Sequence, residues 1–282
     1  MKLQFLGTGA ATGIPLAFCN CAACAKARKL GGREIRRRAA ALVDGELLID
    51  LGPDVPAFMA QSGLDLGRVR YLLQTHAHSD HFDAGHLVTR MAEYAVKDVE
   101  RLEVMASRET LRAMAVWMKT EEPGLELLSE AGQRALNLSL RPIRAGERAQ
   151  MGPYEITALD SRHDPGQQAL VYRIRRAGAA LLYATDLLAL GEEEWSVLRE
   201  APLDAAVLDM TYGAGFNAGG HPDADQVYGM ARRMRQQGIL KPSGRVLATH
   251  ISHEGNGALE EMGQLARPFG VEIAWDGMIL EI

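Results

Sequence analysis

The sequence predicts an α/β chain folded as one domain, and three observations carry that prediction. An apolar run from Val69 to Leu73 stops abruptly at Gln74-Thr75-His76-Ala77-His78-Ser79-Asp80-His81, the pattern of a buried strand feeding a tight polar loop. Short apolar segments of the same kind recur along the chain, separated by Gly or Pro. Between them lie stretches with apolar spacing of three and four, such as Arg108 to Lys119, which is helix periodicity. No internal repeat or low-complexity linker divides residues 1–282.

The elements follow in order. Leu3 to Leu6 is a strand running into the glycine-rich turn 7–13, which lacks the Gly-Lys-Ser/Thr of a phosphate loop and reads as a tight turn beside a buried site. The basic stretch Lys26 to Arg38 follows, and Arg36-Arg37-Arg38 reads as a solvated face, with phosphate binding as the alternative. Ala39–Val43 and Glu46–Leu51 flank Asp44-Gly45, a hairpin signal. Helices are expected over 55–62, stopped by Gly63, and over 85–94. A strand at 101–106 precedes the helix 108–119. The segment 93–134 reads as a lid or peripheral insertion, with 121–134 its least regular part. Strands are expected at 138–143, 154–159, 169–174, 179–184, 205–208, 245–248 and 271–275, the last closing the chain. Helices are expected at 192–199, 223–237 and 257–265; Pro222 and an acidic first turn mark the second of these.

Composition narrows the function. Hydrophobic residues make up 47% of 282, enough for a sizeable core, and the net charge of −5 argues against a nucleic-acid partner. No apolar run reaches the length of a membrane span, and the N-terminus lacks a signal peptide's apolar stretch, so a soluble cytoplasmic protein is expected. Cys19, Cys21 and Cys24 are the only cysteines. An odd, tightly clustered set is a poor disulfide framework and fits a metal whose remaining ligand comes from elsewhere.

His-x-His-x-Asp-His puts His76, His78, Asp80 and His81 on one loop, and imidazole with carboxylate suits zinc, manganese or iron. His163, Asp186 and His250 each sit at or just past a strand end, where a rigid sheet holds functional groups. Together these are seven ligands, enough for two ions about 3.5–4 Å apart. Asp186 is able to bridge them, because its two oxygens can face different ions.

The order of these motifs resembles the metallo-β-lactamase superfamily, whose fold is an αββα sandwich with metals at one edge. A narrower likeness is carried by Cys19-Asn20-Cys21-Ala22-Ala23-Cys24-Ala25-Lys26-Ala27-Arg28, Thr249-His250-Ile251-Ser252-His253 and Asp276-Gly277-Met278. These resemble the PhnP phosphodiesterases, hydrolases of phosphoribosyl 1,2-cyclic phosphate in phosphonate metabolism. The resemblance implies a structural zinc on Cys19, Cys21, Cys24 and His253, and two catalytic zinc or manganese ions. It gives one ion His76, His78 and His163, the other Asp80, His81 and His250, with Asp186 between them. A hydroxide shared by the ions would attack a small cyclic phosphodiester, and His221 would give a proton to the leaving oxygen. Members are often dimers, so a homodimer is an expectation. Two stretches depart from the family: 93–134 is longer, and Met210-Thr211-Tyr212-Gly213 differs in sequence. The same metal frame elsewhere serves nucleases, thioesterases and lactonases. A cofactor-biosynthesis relative also carries a cysteine knuckle, and the redox branch usually has Glu where this chain has His78.

Overall fold

A computed structural model of the protein describes residues 1–94, 99–216 and 218–282. The first sheet holds β1 (Lys2–Gly7), β2 (Ala40–Val43), β3 (Leu47–Ile49), β4 (Tyr71–Leu73), β5 (Leu102–Ala106), β6 (Leu138–Pro142) and β14 (Ile279–Glu281). The second holds β7 (Arg148–Met151), β8 (Tyr154–Asp160), β9 (Leu170–Arg176), β10 (Ala179–Ala184), β11 (Leu203–Asp209), β12 (Leu240–Thr249) and β13 (Val271–Ile273). The strand orders are β14-β1-β2-β3-β4-β5-β6 and β13-β12-β11-β10-β9-β8-β7.

Three apolar clusters give the layering. Strand side chains alternate between faces, so one strand feeds two cores. In β10, Leu181 and Tyr183 point between the sheets with Phe5, Ile49 and Tyr172. Ala180, Leu182 and Ala184 point outward, toward Trp195, Val227 and Met262 on the helices α6 (Glu192–Arg199), α7 (Ala224–Gln236) and α8 (Leu259–Ala266). The outer face of the first sheet is covered by α2 (Val55–Ser62), α3 (Ala84–Val88) and α4 (Arg108–Glu121), through Phe58, Leu87 and Met114. The result is the αββα sandwich, with both sheets covered on both faces.

Strand direction places the functional loops. β3 to β6 run parallel, and so do β10 to β13. The carboxyl ends of β3, β4, β10, β11 and β12 open onto one edge of the sandwich, where open parallel sheets form their crevices. A backbone bond from Leu170 N to the Thr75 carbonyl, 3.0 Å, joins the two sheets there.

Most expected elements form, with instructive departures. The Asp44-Gly45 turn has positive φ at both residues, 52° and 77°, as a tight hairpin requires. The helix expected over 85–94 stops at Val88. The chain closes with β14 and not with the 271–275 strand, because the Ala274–Met278 loop crosses back to pair β14 with β1. Three other short elements escape sequence periodicity: α1 (Ala22–Leu30), α5 (Glu130–Ala135) and the polar edge strand β7. The 93–134 segment is scaffold, not a lid: β5 is an interior strand, and α4 buries Leu111, Met114 and Met118 against it. Residues 95–98 of that segment lie outside the described residues. Arg36-Arg37-Arg38 is not a solvated face either. Arg36 is buried and donates to Thr8 Oγ1 and the Ala274 carbonyl, and Arg37 and Arg38 pair with Asp276 and Asp54.

Candidate metal centre

The first loop leaves β4 and is held from beneath by one carboxylate. Asp50, at the end of β3, is fully buried and accepts from Thr75 N (2.8 Å), Gln74 Nε2 (2.9 Å) and His81 Nδ1 (2.7 Å). Thr75 Oγ1 also donates to Asp50, so it is left to accept from His76 Nδ1 at 3.0 Å. These bonds turn Nε2 of both His76 and His81 toward the crevice. Such a partner on the far nitrogen fixes the tautomer of a metal-binding imidazole.

The second sheet repeats the device. Asp209, at the end of β11, accepts from Thr211 N and Thr211 Oγ1 at 2.8 and 2.7 Å. Thr211 Oγ1 is then left to accept from His250 Nδ1 at 2.8 Å, while the other Asp209 oxygen takes His221 Nδ1 at 2.9 Å. Asp50 and Asp209 are the site residues that sequence reasoning missed. Their only signal is a carboxylate immediately after a buried strand, which reads equally as a turn residue.

The crevice brings together the seven residues that the sequence pairs with two ions. Donor atoms of His76, His78 and His163 lie within 4.8 Å of one another, and so do those of Asp80, His81, Asp186 and His250. Asp186 stands between the two groups. Its Oδ1 is 3.5 Å from His163 Nε2 and 4.0 Å from His76 Nε2; its Oδ2 is 2.7 Å from His81 Nε2 and 3.2 Å from His250 Nε2. The His221 ring stacks on His250 with centroids 5.2 Å apart and lies 4.6 Å from the His163 ring. It borders both groups and forms a further set with Asp186, Asp209 and His250, whose donor atoms also lie within 4.8 Å of one another.

The residues fit divalent cations on two grounds. His81 Nε2, His250 Nε2 and Asp186 Oδ2 are buried and have no hydrogen-bond partner among the described residues, yet they converge. Buried polar atoms are rarely left so, and a carboxylate oxygen facing two ring nitrogens at about 3 Å needs positive charge between them, a proton or a metal ion. The electrostatics agree. Burial alone would raise Asp80 and Asp186, yet the histidines around them, His81 and His250, hold both well below the usual carboxylate range. Burial would lower His81, and Asp186, Asp80 and Asp50 hold it well above its ordinary value. Burial wins at His76, which is pushed well below its ordinary value with help from His81.

A second cluster lies beside the first. Cys19, Cys21, Cys24 and His253 bring their donor atoms within 4.8 Å of one another, with His253 Nδ1 3.5 Å from Cys19 Sγ and 3.3 Å from Cys21 Sγ. Three sulfurs and one ring nitrogen suit a closed tetrahedral zinc site. The backbone N–H of Cys24 and the His253 ring lower the Cys21 thiol to about 6, whereas burial raises Cys24 to about 11.

Comparison with known proteins bears on this geometry. A family described as the Beta-lactamase superfamily domain matches residues 46–251. No curated protein matches the chain. Among solved structures, a diphosphatase from the PhnP family is 22% identical, with the alignment covering 100% of this chain and 97% of that one and a TM-score of 0.75. Zinc-bound PqqB from Methylobacterium extorquens is 18% identical over 100% of both chains, with a TM-score of 0.74. The short form of human tRNase Z is 19% identical over 100% of this chain and 99% of that one, with a TM-score of 0.66. Identities this low speak for a shared fold. That fold implies divalent metal ions at the crevice.

Proposed function

The chain belongs to the beta-lactamase superfamily, and from that premise we propose that it is a hydrolase that holds two divalent cations and cleaves a small phosphodiester. The observation that carries the reading is the Asp186 carboxylate, with one oxygen toward His76 and His163 and the other toward His81 and His250. Zinc or manganese would be held by His76, His78 and His163 on one side, and by Asp80, His81 and His250 on the other, with Asp186 shared. When bound, such a pair supplies Lewis acidity toward the phosphoryl oxygens and lowers the pKa of water.

The chain's own residues do the rest. Asp50 and Asp209 hold the rings of His81 and His221 directly, and those of His76 and His250 through threonine hydroxyls, so the donor atoms are aimed before substrate arrives. His221 Nδ1 is engaged by Asp209, which leaves Nε2 to carry the proton given to the leaving oxygen. The Asp209 carboxylate orients the ring, as an aspartate does behind a catalytic histidine.

The preference for a phosphodiester is supported by the Cys19-Cys21-Cys24-His253 cluster, the feature that links the sequence to the PhnP phosphodiesterases. Phosphoribosyl 1,2-cyclic phosphate is the substrate we propose on that likeness. A panel of cyclic phosphates, bis-p-nitrophenyl phosphate, a diphosphate diester, thioesters and lactones, assayed after loading with zinc or manganese, tests it. Turnover confined to thioesters or lactones would sink the phosphodiester reading. His221→Ala is expected to cut kcat by about 10²–10⁴-fold with metal content unchanged. A parallel loss of metal would make His221 a ligand instead.

A further inference from the structure

His78 differs from the other crevice histidines. It offers Nδ1 inward, 2.9 Å from His76 Nε2, and turns Nε2 outward to Asp164 Oδ2 at 3.1 Å. Its side chain is 43% exposed, whereas those of His76, His81 and His250 are buried. No buried aspartate stands behind it. Instead Asp164 sits in a tight turn, with Oδ1 accepting from Gly166 N at 2.8 Å and Gln167 N at 3.2 Å. Gln167 Nε2 donates to Asp164 Oδ2 at 2.9 Å, and Gln167 Oε1 accepts from Ala77 N at 2.7 Å. The start of α4 clamps this turn: Ser107 Oγ and Thr110 Oγ1 donate to the Gln167 carbonyl at 2.6 and 3.0 Å. Further along α4, Trp117 Nε1 donates to the Ala77 carbonyl at 3.1 Å.

We propose that Asp164 is a positioning residue that fixes His78 as its Nε2–H tautomer, and that α4, through Gln167 and Trp117, holds this strap against the two ligand loops. The inference rests on the two-cation reading and assigns a role to the stretch in which the chain departs from its family. His78 can lend a lone pair from Nδ1 only while its proton is on Nε2. A carboxylate facing Nε2 at 3.1 Å draws the proton to that nitrogen by its charge, without an aligned hydrogen bond. The half of the centre made by His76, His78 and His163 therefore depends on a strap that is partly exposed, whereas the other half rests on carboxylates inside the sandwich.

Asp164→Asn separates this role from a structural one. The asparagine oxygen stays where two backbone N–H groups require an acceptor, which keeps the turn, while the Gln167 Nε2 bond to the other oxygen is lost. Its NH₂ then faces His78 Nε2 and forces the proton onto Nδ1. On the full chain, zinc affinities measured by chelator competition should show one catalytic ion weakened by about 10–100-fold. The other catalytic ion and the knuckle zinc should match the wild type, and Tm should fall only slightly, through the lost Gln167 bond. In the metal-stripped protein, ¹⁵N–¹H imidazole spectra should show His78 moving from the Nε2–H to the Nδ1–H form. Trp117→Phe should weaken the same ion by about 2–10-fold, the worth of one hydrogen bond, without changing the tautomer. Unchanged affinities in Asp164→Asn, equal weakening of all ions, or an unaltered tautomer would each overturn the proposal. A wild-type protein that binds only the knuckle zinc would defeat the two-cation reading, and the tautomer spectra would still judge the Asp164–His78 pairing.

Discussion

Single residues set this site more by orientation than by number. Asp50, Asp186 and His250 all have positive φ, at 63°, 51° and 58°. Non-glycine residues avoid that region, and each such position costs about 1–3 kcal/mol unless its surroundings over-determine it. Here they do at Asp50 and His250, which follow strands and are held through their side chains by His81 and Thr211. Asp50 is the test. Asp50→Ala strands the Thr75, Gln74 and His81 donors in the interior. That should destabilise the protein by about 3–5 kcal/mol, the cost of breaking a buried ion pair from one side. A urea transition with an unchanged midpoint would show that the carboxylate is dispensable. The crevice residues are legible in the sequence because His-x-His-x-Asp-His crowds side chains able to bind metal onto one loop after a buried strand. Asp50 and Asp209 are not, since their role depends on histidines far away along the chain.

At the scale of elements, the segment after β12 joins the two metal clusters. His250 belongs to the crevice and His253 to the cysteines. Between them Ile251 N donates to the Thr8 carbonyl (2.9 Å), Ala10 N donates to the Ile251 carbonyl (3.0 Å), and Ser252 N and Oγ donate to the Thr211 carbonyl (3.0 and 2.8 Å). The glycine-rich turn thus serves as a close-packed backbone seat: a Cβ on Gly9 would meet the Arg36 and Arg37 carbonyls at 3.0 Å. Cys21→Ser should therefore lose the knuckle zinc, lower Tm and reduce turnover by about 10-fold through His250, as supporting residues around metal ligands do. Full activity and an unshifted Tm would dissolve this coupling. α1 is hidden from a periodicity reading because it is short and weakly amphipathic. Its start is capped by Cys21 Sγ, which accepts from Cys24 N, and cysteine is no ordinary capping signal.

For the whole molecule, the four-layer sandwich gathers negative charge at one edge and leaves cations to balance it. Burial would lower His250, yet the carboxylates of Asp186 and Asp209 raise it to about 9 in the protein alone. That raised value stabilises the metal-free fold below the ordinary 6.5, and the contribution is lost as pH rises through about 9. A metal must displace the same proton. Affinity at the buried half-site should therefore climb as pH rises from about 7 through about 9, with protons released to buffer in calorimetry at about pH 7.5. Loading without proton release would contradict this charge arrangement. Chelation should lower Tm, and zinc or manganese at about 100 times Kd should restore about 2.7 kcal/mol for each site. Among the described residues no helix is long and apolar enough to cross a membrane.

The linear chain by itself singled out which residues converge at the crevice, because side-chain chemistry and strand-end placement are local properties of His76, His78, Asp80, His81, His163, Asp186 and His250. It also marked the helix after Pro222 and the hairpin at Asp44-Gly45, where caps and turns are written in adjacent residues. Only the tertiary structure decided which nitrogen of each ring faces the crevice, since that depends on Asp50, Asp209 and Asp164 arriving from other strands. It alone turned 99–134 from an expected lid or insertion into scaffold, and 36–38 from a charged run into a joint anchored by buried Arg36. A side chain's proton and a cation's partner are set by what lies within hydrogen-bonding reach in space, and sequence spacing does not carry that distance.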